Sequence, residues 1–244
     1  MLRPLSREHI HCIRLYITKQ KINIGEAEIC DNSLCCQAWI SKDDRYAKWE
    51  EDKREGNWEK ISEAVYTTKG KIVTYNGEVI YAFFHANSGG KTETPVNVWG
   101  GSEPYPYLQV VQTYGEDAYA EYASKAELTK GEVINKIKEK HSNIDIDFSN
   151  EEAIKVLEYT EGGRIKTIKF GNVNLSGVEA RTIFGLKSAN FRVATNGDIV
   201  TFEVTGYGHG VGMSQTGADA LAKEGKKHEE IIKHFYKDVE ISRF

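Results

Sequence analysis

The chain has 244 residues, enough for one large domain or two small ones, and its hydrophobic content of 40% allows a proper core. The formal net charge of −4 gives no reason to expect a nucleic acid or an anionic membrane surface as a partner. Residues 1–20 contain no apolar run of the length that a signal peptide or a membrane-spanning helix needs.

All the cysteines of the chain fall within its first 36 residues. Cys30 could close a small disulfide with Cys36 or Cys35, could bind zinc together with Cys36 and a histidine, or could stay a free, buried thiol. The spacing between Cys30 and Cys36 is wider than that of most paired zinc ligands, so the pattern leaves the three interpretations open. The histidines that could complete a zinc site are His85, His9 and His11.

Further along, a charged helix and a hairpin are predicted. Residues 43–64 are highly charged with Trp49 and Trp58 interspersed, which indicates an exposed helix. Asn76-Gly77 separates two β-rich runs, and this dipeptide is a strong signal for a tight turn. We therefore predict a hairpin over residues 71–85.

The second half of that hairpin leads into a polar loop. Val79–His85 reads as a buried strand, and residues 86–93 follow it with two glycines and several hydroxyl side chains. His85 stands at the mouth of this loop, where a side chain can face a ligand. Residues 88–108 as a whole are predicted to be loop.

The middle of the chain alternates between helix and strand signals. Thr129 and Glu132 are spaced as a capping box, which predicts a helix over residues 129–140. A hairpin with a Gly-Gly turn is predicted over residues 153–170, and further strand over residues 188–204.

These elements predict an α+β fold with a β-rich core and peripheral helices. We treat residues 1–244 as a single domain. Residues 115–195 have a charged composition, a helix and a hairpin of their own, so they are predicted to form a smaller inserted lobe.

The most informative segment is the glycine-rich loop at residues 206–215, which follows the β-like run Ile199–Val204 and precedes a helical pattern from Gln215 to Glu224. Four glycines alternate with other residues around His209. Such a run between a strand and a helix makes a polar cradle with free N–H donors. It is neither a Walker loop nor a dinucleotide-binding loop, because the spacing of its residues fits neither pattern.

The two loops together resemble the stage II sporulation protein D family, the SpoIID/LytB-type lytic transglycosylases. The resemblance rests on His85…Ser88-Gly89-Gly90…Thr92-Glu93 and on Gly208-His209-Gly210-Val211-Gly212-Met213-Ser214-Gln215. Segments between these loops are similar to the family's linking motifs: Trp99-Gly100-Gly101-Ser102-Glu103-Pro104, and Ser176-Gly177…Arg181…Leu186-Lys187-Ser188. The segment Cys30-Asp31…Cys36-Gln37 is similar to the family's cysteine element.

The resemblance implies cleavage of peptidoglycan glycan strands between N-acetylmuramic acid and N-acetylglucosamine during spore engulfment. It also implies an amidase partner and a location on the extracytoplasmic face of the mother-cell membrane. Because some members of the family bind zinc through such cysteines, it further implies zinc held by Cys30 and Cys36. The residues it assigns to substrate binding are His85, Ser88, Gly89, Gly90, Thr92, His209, Gly210, Met213, Ser214 and Gln215.

The family's catalytic glutamate has no matching segment in this chain. It lies upstream of the cysteine element in a helix that residues 2–16 do not resemble, so the catalytic residue is unknown and the chain is predicted to be incomplete or altered at its N-terminus. Glu8 does not match the motif, and Glu93 and Glu103 are candidates only for a secondary acid.

Two alternative functions follow from these observations. Without its general acid, the chain would be a glycan-binding member with impaired catalysis. In the other alternative, a cell-wall peptidase, Cys30 or Cys36 would act with His209 or His85, but the cysteine segment shows no helix start that would activate a thiolate.

Overall fold

The computed structural model describes residues 39–102 and 105–243. The helices in these ranges are α1 (Lys42–Ala47), α2 (Arg54–Thr67), α3 (Pro95–Trp99), α4 (Lys130–Lys138), α5 (Gly177–Phe184), α6 (Gln215–Lys223) and α7 (His228–Phe235). Short 3-10 helices span Glu51–Lys53 and Glu116–Ala118. None of the helices in the described part of the chain combines the length and the apolar character that crossing a bilayer requires.

The strands are short and belong to several sheets. They are β1 (Lys71–Tyr75), β2 (Glu78–Val79), β3 (Phe84–His85), β4 (Ala123–Thr129), β5 (Ile154–Tyr159), β6 (Ile165–Phe170), β7 (Val173–Ser176), β8 (Phe191–Asn196), β9 (Ile199–Thr205), β10 (Met213–Ser214) and β11 (Glu240–Arg243). The predicted α+β class is confirmed.

The chain divides into two compact units, and the described residues of the first are 39–82 and 239–243. Its helices α1 and α2 contain no buried residue, which confirms the exposed character predicted for residues 43–64, but the single helix predicted there is interrupted between Ala47 and Arg54. Strand β1 pairs antiparallel with β2 and with β11. Asn76 and Gly77 both have positive φ, at 51° and 81°, as the predicted tight turn requires.

The second unit, Phe83–Asp238, contains two three-stranded antiparallel sheets with the orders β4-β9-β8 and β5-β6-β7. The Phe184 ring lies 5.3 Å from that of Phe170 and 4.7 Å from that of Phe202, so helix α5 contributes to the same core as both sheets. Val133 and Ile137 of α4 are fully buried in this core. The lobe predicted at residues 115–195 falls within this unit.

Several local predictions in the second unit are confirmed. The capping box of Thr129 and Glu132 is present at the start of α4. The hairpin predicted at residues 153–170 is formed by β5 and β6, and β8 and β9 form another hairpin in the region 188–204. Helix α6 occupies the helical pattern predicted from Gln215 to Glu224, and α7 follows it in the chain.

Other local predictions are wrong. Val79–His85 is not one strand, because Val79 pairs with β1 whereas Phe84 and His85 pair with β10, and the chain changes partner between them. The stretch 88–108 is not all loop, since Pro95 occupies the first turn of α3, a position that suits proline. Helix α5 was not predicted, although Ser176 caps it and Gly185 ends it.

Candidate functional site

The two loops identified in the sequence lie side by side in the second unit. Strand β10 runs parallel to β3, with Met213 opposite Phe84 and Ser214 opposite His85. Beyond this pair, the backbone N–H of Glu93 donates to the Gly210 carbonyl at 2.9 Å. The two segments are about 120 residues apart in sequence, yet they form one continuous backbone structure.

The two histidines meet inside this structure. The centroids of the His85 and His209 rings are 5.7 Å apart, with the ring planes inclined at 59°. Nδ1 of His85 lies 3.1 Å from the Val211 carbonyl, which can only accept, so this nitrogen carries the proton. Nδ1 of His209 accepts from the Val211 N–H at 3.0 Å, so its proton is on Nε2. One backbone residue thereby fixes both tautomers.

Both imidazoles are neutral at physiological pH. Burial is the main cause that lowers the pKa of His85 to about 3, and the neighbouring charge of Arg164 acts in the same direction. Burial also lowers the pKa of His209 to about 4, assisted by Arg181. The Nε2 atom of His85 is buried and has no hydrogen-bond partner among the described residues. The site therefore presents neutral imidazoles, which suit uncharged polar ligands better than anions.

A buried carboxylate that the sequence analysis did not identify joins the two loops. Glu116 is 2% exposed. Six groups donate to it: the Ser88 N–H at 3.0 Å, the Ser88 hydroxyl at 2.6 Å, the Gly90 N–H at 3.0 Å, the Thr113 hydroxyl at 2.6 Å, the Thr216 hydroxyl at 3.2 Å, and the Ser214 hydroxyl. Burial by itself raises the pKa of Glu116, but the hydrogen bonds from Ser214, Ser88 and Thr113 outweigh it and lower the pKa to about 2.

Three of the predicted substrate-binding residues point inward. The side chains of Ser88, Thr92 and Ser214 are fully buried. The Thr92 hydroxyl donates to the Gln109 carbonyl at 2.9 Å and accepts from the Val111 N–H at 2.7 Å. These hydroxyls hold the loops together. The predicted residues that remain partly exposed are Gly89, Gly90, His209, Met213 and Gln215, while His85 and Gly210 are buried.

Arg164 is a second buried charge that the sequence analysis missed. Its Nη1 donates to the Lys91 carbonyl at 3.0 Å and its Nη2 to the Ser88 carbonyl at 2.9 Å, so it holds the first loop by its backbone. Burial lowers the pKa of Arg164 to about 10, which leaves it charged at neutral pH. No local pattern could identify either residue, because most of their partners are distant in sequence.

Glu93 was predicted as a candidate secondary acid, and the structure places it in the interior at 1% exposure. Its Oε1 accepts from the Thr94 N–H and from Asn97 Nδ2, both at 2.8 Å, and its Oε2 accepts from the Thr160 hydroxyl at 2.5 Å. A cavity of about 10 Å³ beside Glu93, Arg164 and His209 has room for roughly one water molecule. This cavity is too small for a ligand larger than a water molecule.

The remaining predicted site residues lie outside the described ranges. This applies to Glu103, to Glu8, and to Cys30, Cys35 and Cys36, so zinc binding by Cys30 and Cys36 stays a prediction. Within residues 39–102 and 105–243, no group of three or more His, Cys, Asp or Glu side chains is arranged to hold a metal ion.

Comparison with known proteins gives clear relatives, although no family model matches the chain. Stage II sporulation protein D from Bacillus subtilis (strain 168) is 32% identical over 230 residues, and that from Bacillus amyloliquefaciens is 29% identical over 231 residues. Both alignments include 94% of this chain but only 64% of the relative, so the chain spans a little under two thirds of their length. An amidase enhancer from Bacillus subtilis (strain 168) is 29% identical over 72% of this chain and 31% of that protein. With nearly the whole chain aligned, and with both motif loops joined in one structure, the chain belongs to the stage II sporulation protein D family.

Proposed function

We propose that this protein acts on the cell wall during sporulation, as a peptidoglycan lytic transglycosylase that cleaves glycan strands between N-acetylmuramic acid and N-acetylglucosamine during spore engulfment. The observation that carries the proposal is the joining of the His85 and His209 loops around the backbone of Val211. This arrangement keeps both imidazoles neutral and leaves His209, Met213 and Gln215 partly exposed. The Gln215 amide and the backbone groups of the glycine-rich loops are neutral donors and acceptors, which suit the hydroxyl and N-acetyl groups of a glycan.

The proposed reaction needs one carboxyl group that acts first as an acid and then as a base. The acid protonates the glycosidic oxygen, and the bond from that oxygen to C1 of the muramic acid breaks. The C6 hydroxyl of the same sugar then bonds to C1 and returns its proton to the carboxylate, which gives a 1,6-anhydro end without water.

Neither carboxylate of the described site fits this role. Glu116 is ionised down to a pH of about 2 and accepts from six donors. Glu93 is buried, with hydrogen bonds to both oxygens. These contacts support a second candidate function for the part of the chain that the structure describes, which is binding of glycan strands with little cleavage.

We also carry over two elements of the family resemblance as proposals. The first is a sporulation amidase partner that strips the stem peptides from the glycan, which the similarity to the amidase enhancer supports. The second is a place on the extracytoplasmic face of the mother-cell membrane. A Cys/His peptidase is less favoured, because both ring nitrogens of His209 are already hydrogen-bonded to the backbone, at Val211 and at Phe84, and because the His85 ring is buried.

The test is to incubate the chain with glycan strands that have been stripped of peptides, and to measure binding by co-sedimentation and products by mass spectrometry. We expect binding with few 1,6-anhydro ends, since proton transfer by a placed side chain contributes roughly 10²–10⁴-fold. Abundant anhydro ends would show that the chain contains its own acid, and Glu8→Gln, Glu93→Gln and Glu103→Gln would then identify it. Absence of binding would overturn the proposal. Iodoacetamide treatment is the matched control, because it would inactivate a cysteine peptidase but not a transglycosylase.

A further inference from the structure

Trp99 is a large aromatic residue that the proposed mechanism does not use. It ends the one-turn helix α3 and is 51% exposed, although an indole ring is one of the largest apolar surfaces that a protein can bury. The centroid of this exposed ring lies 5.3 Å from the centroid of the imidazole of His209, which is the partly exposed histidine of the site. The exposure of Trp99 beside His209 therefore indicates a role in ligand binding rather than in the hydrophobic core.

The ring is held in place from one side. Trp99 packs against Phe83 with ring centroids 4.9 Å apart, and Phe83 packs against Tyr105 at 5.9 Å. The rings of Tyr105, Phe83, Trp99, His209 and His85 thus follow one another in a continuous row. An exposed ring fixed by such packing loses little conformational freedom when a ligand binds, so it is preorganised.

The helix that presents Trp99 is fixed as well. The buried Glu93 carboxylate accepts from the Thr94 N–H and from Asn97 Nδ2, which lie at the start and in the middle of α3. At the other end, the Gly100 N–H donates to the Val96 carbonyl at 2.9 Å. Gly100 leaves the helix with a φ of 75°, so the chain turns away directly after the indole.

We infer that Trp99 is a platform on which one pyranose ring of the glycan stacks, beside His209. This inference rests on the proposed function and names the residue that would position the sugar. A pyranose has an apolar face of C–H groups and a polar rim of hydroxyls, and an indole offers the matching flat apolar surface with a negative face. The polar groups of the partly exposed loop residues would meet the polar rim. Trp99 is a positioning residue, since it holds the sugar and takes no part in proton transfer.

The test uses the full chain and a peptide-free tetrasaccharide of alternating N-acetylglucosamine and N-acetylmuramic acid, with binding measured by calorimetry. We expect Trp99→Ala to raise Kd by roughly tenfold or more, since it removes the apolar contact of one aromatic ring. Trp99→Phe should retain part of the affinity. Tyr159→Ala is the matched control: Tyr159 is 57% exposed on β5, outside the row of rings, and its removal should leave Kd unchanged.

A second measurement separates stacking from a structural role. With Trp39, Trp49 and Trp58 replaced by Phe, Trp99 is the remaining tryptophan of the chain. The tetrasaccharide should then protect its fluorescence from quenching by acrylamide. The stacking inference is wrong, and the proposed function stands, if three results come together. The unaltered chain binds the tetrasaccharide, the Kd of Trp99→Ala is within twofold of the original value, and the sugar does not protect Trp99 fluorescence from acrylamide. If the unaltered chain binds no glycan, both fail.

Discussion

Ser88 donates two hydrogen bonds to the carboxylate of Glu116, from its backbone N–H at 3.0 Å and from its hydroxyl at 2.6 Å. Ser214 and Thr216, in and after the glycine-rich loop, donate to the same carboxylate. A buried charge is stable only when hydrogen bonds replace its lost water. The relative position of the two loops therefore depends on Glu116, and the first prediction concerns it.

Glu116→Gln should lower the free energy of unfolding at pH 7 by about 2–4 kcal/mol, because the new amide NH₂ faces donors and leaves them without an acceptor. The folded pKa of Glu116 is about 2 and the unfolded value is 4.5, so its stabilising contribution is complete above pH 4.5 and is lost as the pH falls toward 2. Urea unfolding curves at several pH values should show this loss in the original chain and not in the variant.

The control for that measurement is Glu127→Gln, which replaces an exposed glutamate on β4 that pairs with Lys125 at the surface. Its effect should stay within about 0.5 kcal/mol. Equal effects of the two substitutions would contradict the structural role of Glu116.

Ser214 allows the contribution of a single donor to be measured. It caps α6 by accepting from the Gly217 N–H at 3.2 Å, and it also donates to Glu116. Ser176 caps α5 in the same way, because its hydroxyl accepts from the Glu179 N–H at 3.0 Å. Ser176 is exposed and has no buried carboxylate to bind among the described residues. Ser176→Ala should therefore lower the free energy of unfolding by about 1 kcal/mol, and Ser214→Ala by about 2–3 kcal/mol. Thermal or urea unfolding of both variants gives the difference, and a Ser214→Ala effect no larger than the Ser176→Ala effect would argue against the shared network.

Gly212 is the position in the glycine-rich loop that tolerates a side chain least. A Cβ there would lie 2.0 Å from the Phe83 carbonyl oxygen, and φ is +72°. That oxygen accepts from the Met213 N–H at 3.0 Å and from the Tyr236 hydroxyl at 2.8 Å, so moving it would disturb two hydrogen bonds.

We expect Gly212→Ala to destabilise the fold by about 2–4 kcal/mol. Gly197, in the β8–β9 turn, has a φ of +55° but open space around it, so Gly197→Ala should cost only about 1 kcal/mol. Comparison of the two unfolding free energies separates the steric overlap from the backbone strain, and equal losses would rule out the overlap.

The buried histidines should make stability depend on pH in a higher range than Glu116 does. Unfolded histidine has a pKa of 6.5, whereas His85 and His209 have folded values of about 3 and about 4. Between pH 6.5 and 4.5 the unfolded chain binds protons that the folded chain does not, so stability falls as the pH falls. Each histidine contributes up to about 1.4 kcal/mol per pH unit in this window.

His85→Gln and His209→Gln should each reduce this slope in urea unfolding experiments between pH 4.5 and 7. His228 is about half exposed and serves as the control. An unchanged slope in both variants, or an equal reduction by His228→Gln, would mean that the two imidazoles are not held neutral by burial.

Local sequence signals determined much of the secondary structure. Asn76-Gly77 was sufficient for the β1–β2 turn, since few dipeptides adopt two successive positive φ angles at little cost. Thr129 and Glu132 were sufficient for the start of α4, since a capping box involves only four consecutive residues. The family resemblance also singled out both loops that meet in the site, because their motifs are contiguous in sequence.

Tertiary structure alone decided what the polar residues of those loops do. Ser88, Thr92 and Ser214 look in the sequence like ligand-binding hydroxyls, yet they are fully buried and hydrogen-bonded in the interior. A hydroxyl next to a glycine can face solvent or core, and the choice depends on which distant group accepts from it. Here that group is Glu116 for two of the three, and no spacing rule connects residue 116 to residues 88 and 214. The sequence determined which segments form the candidate site, and long-range packing determined which of their side chains remain exposed.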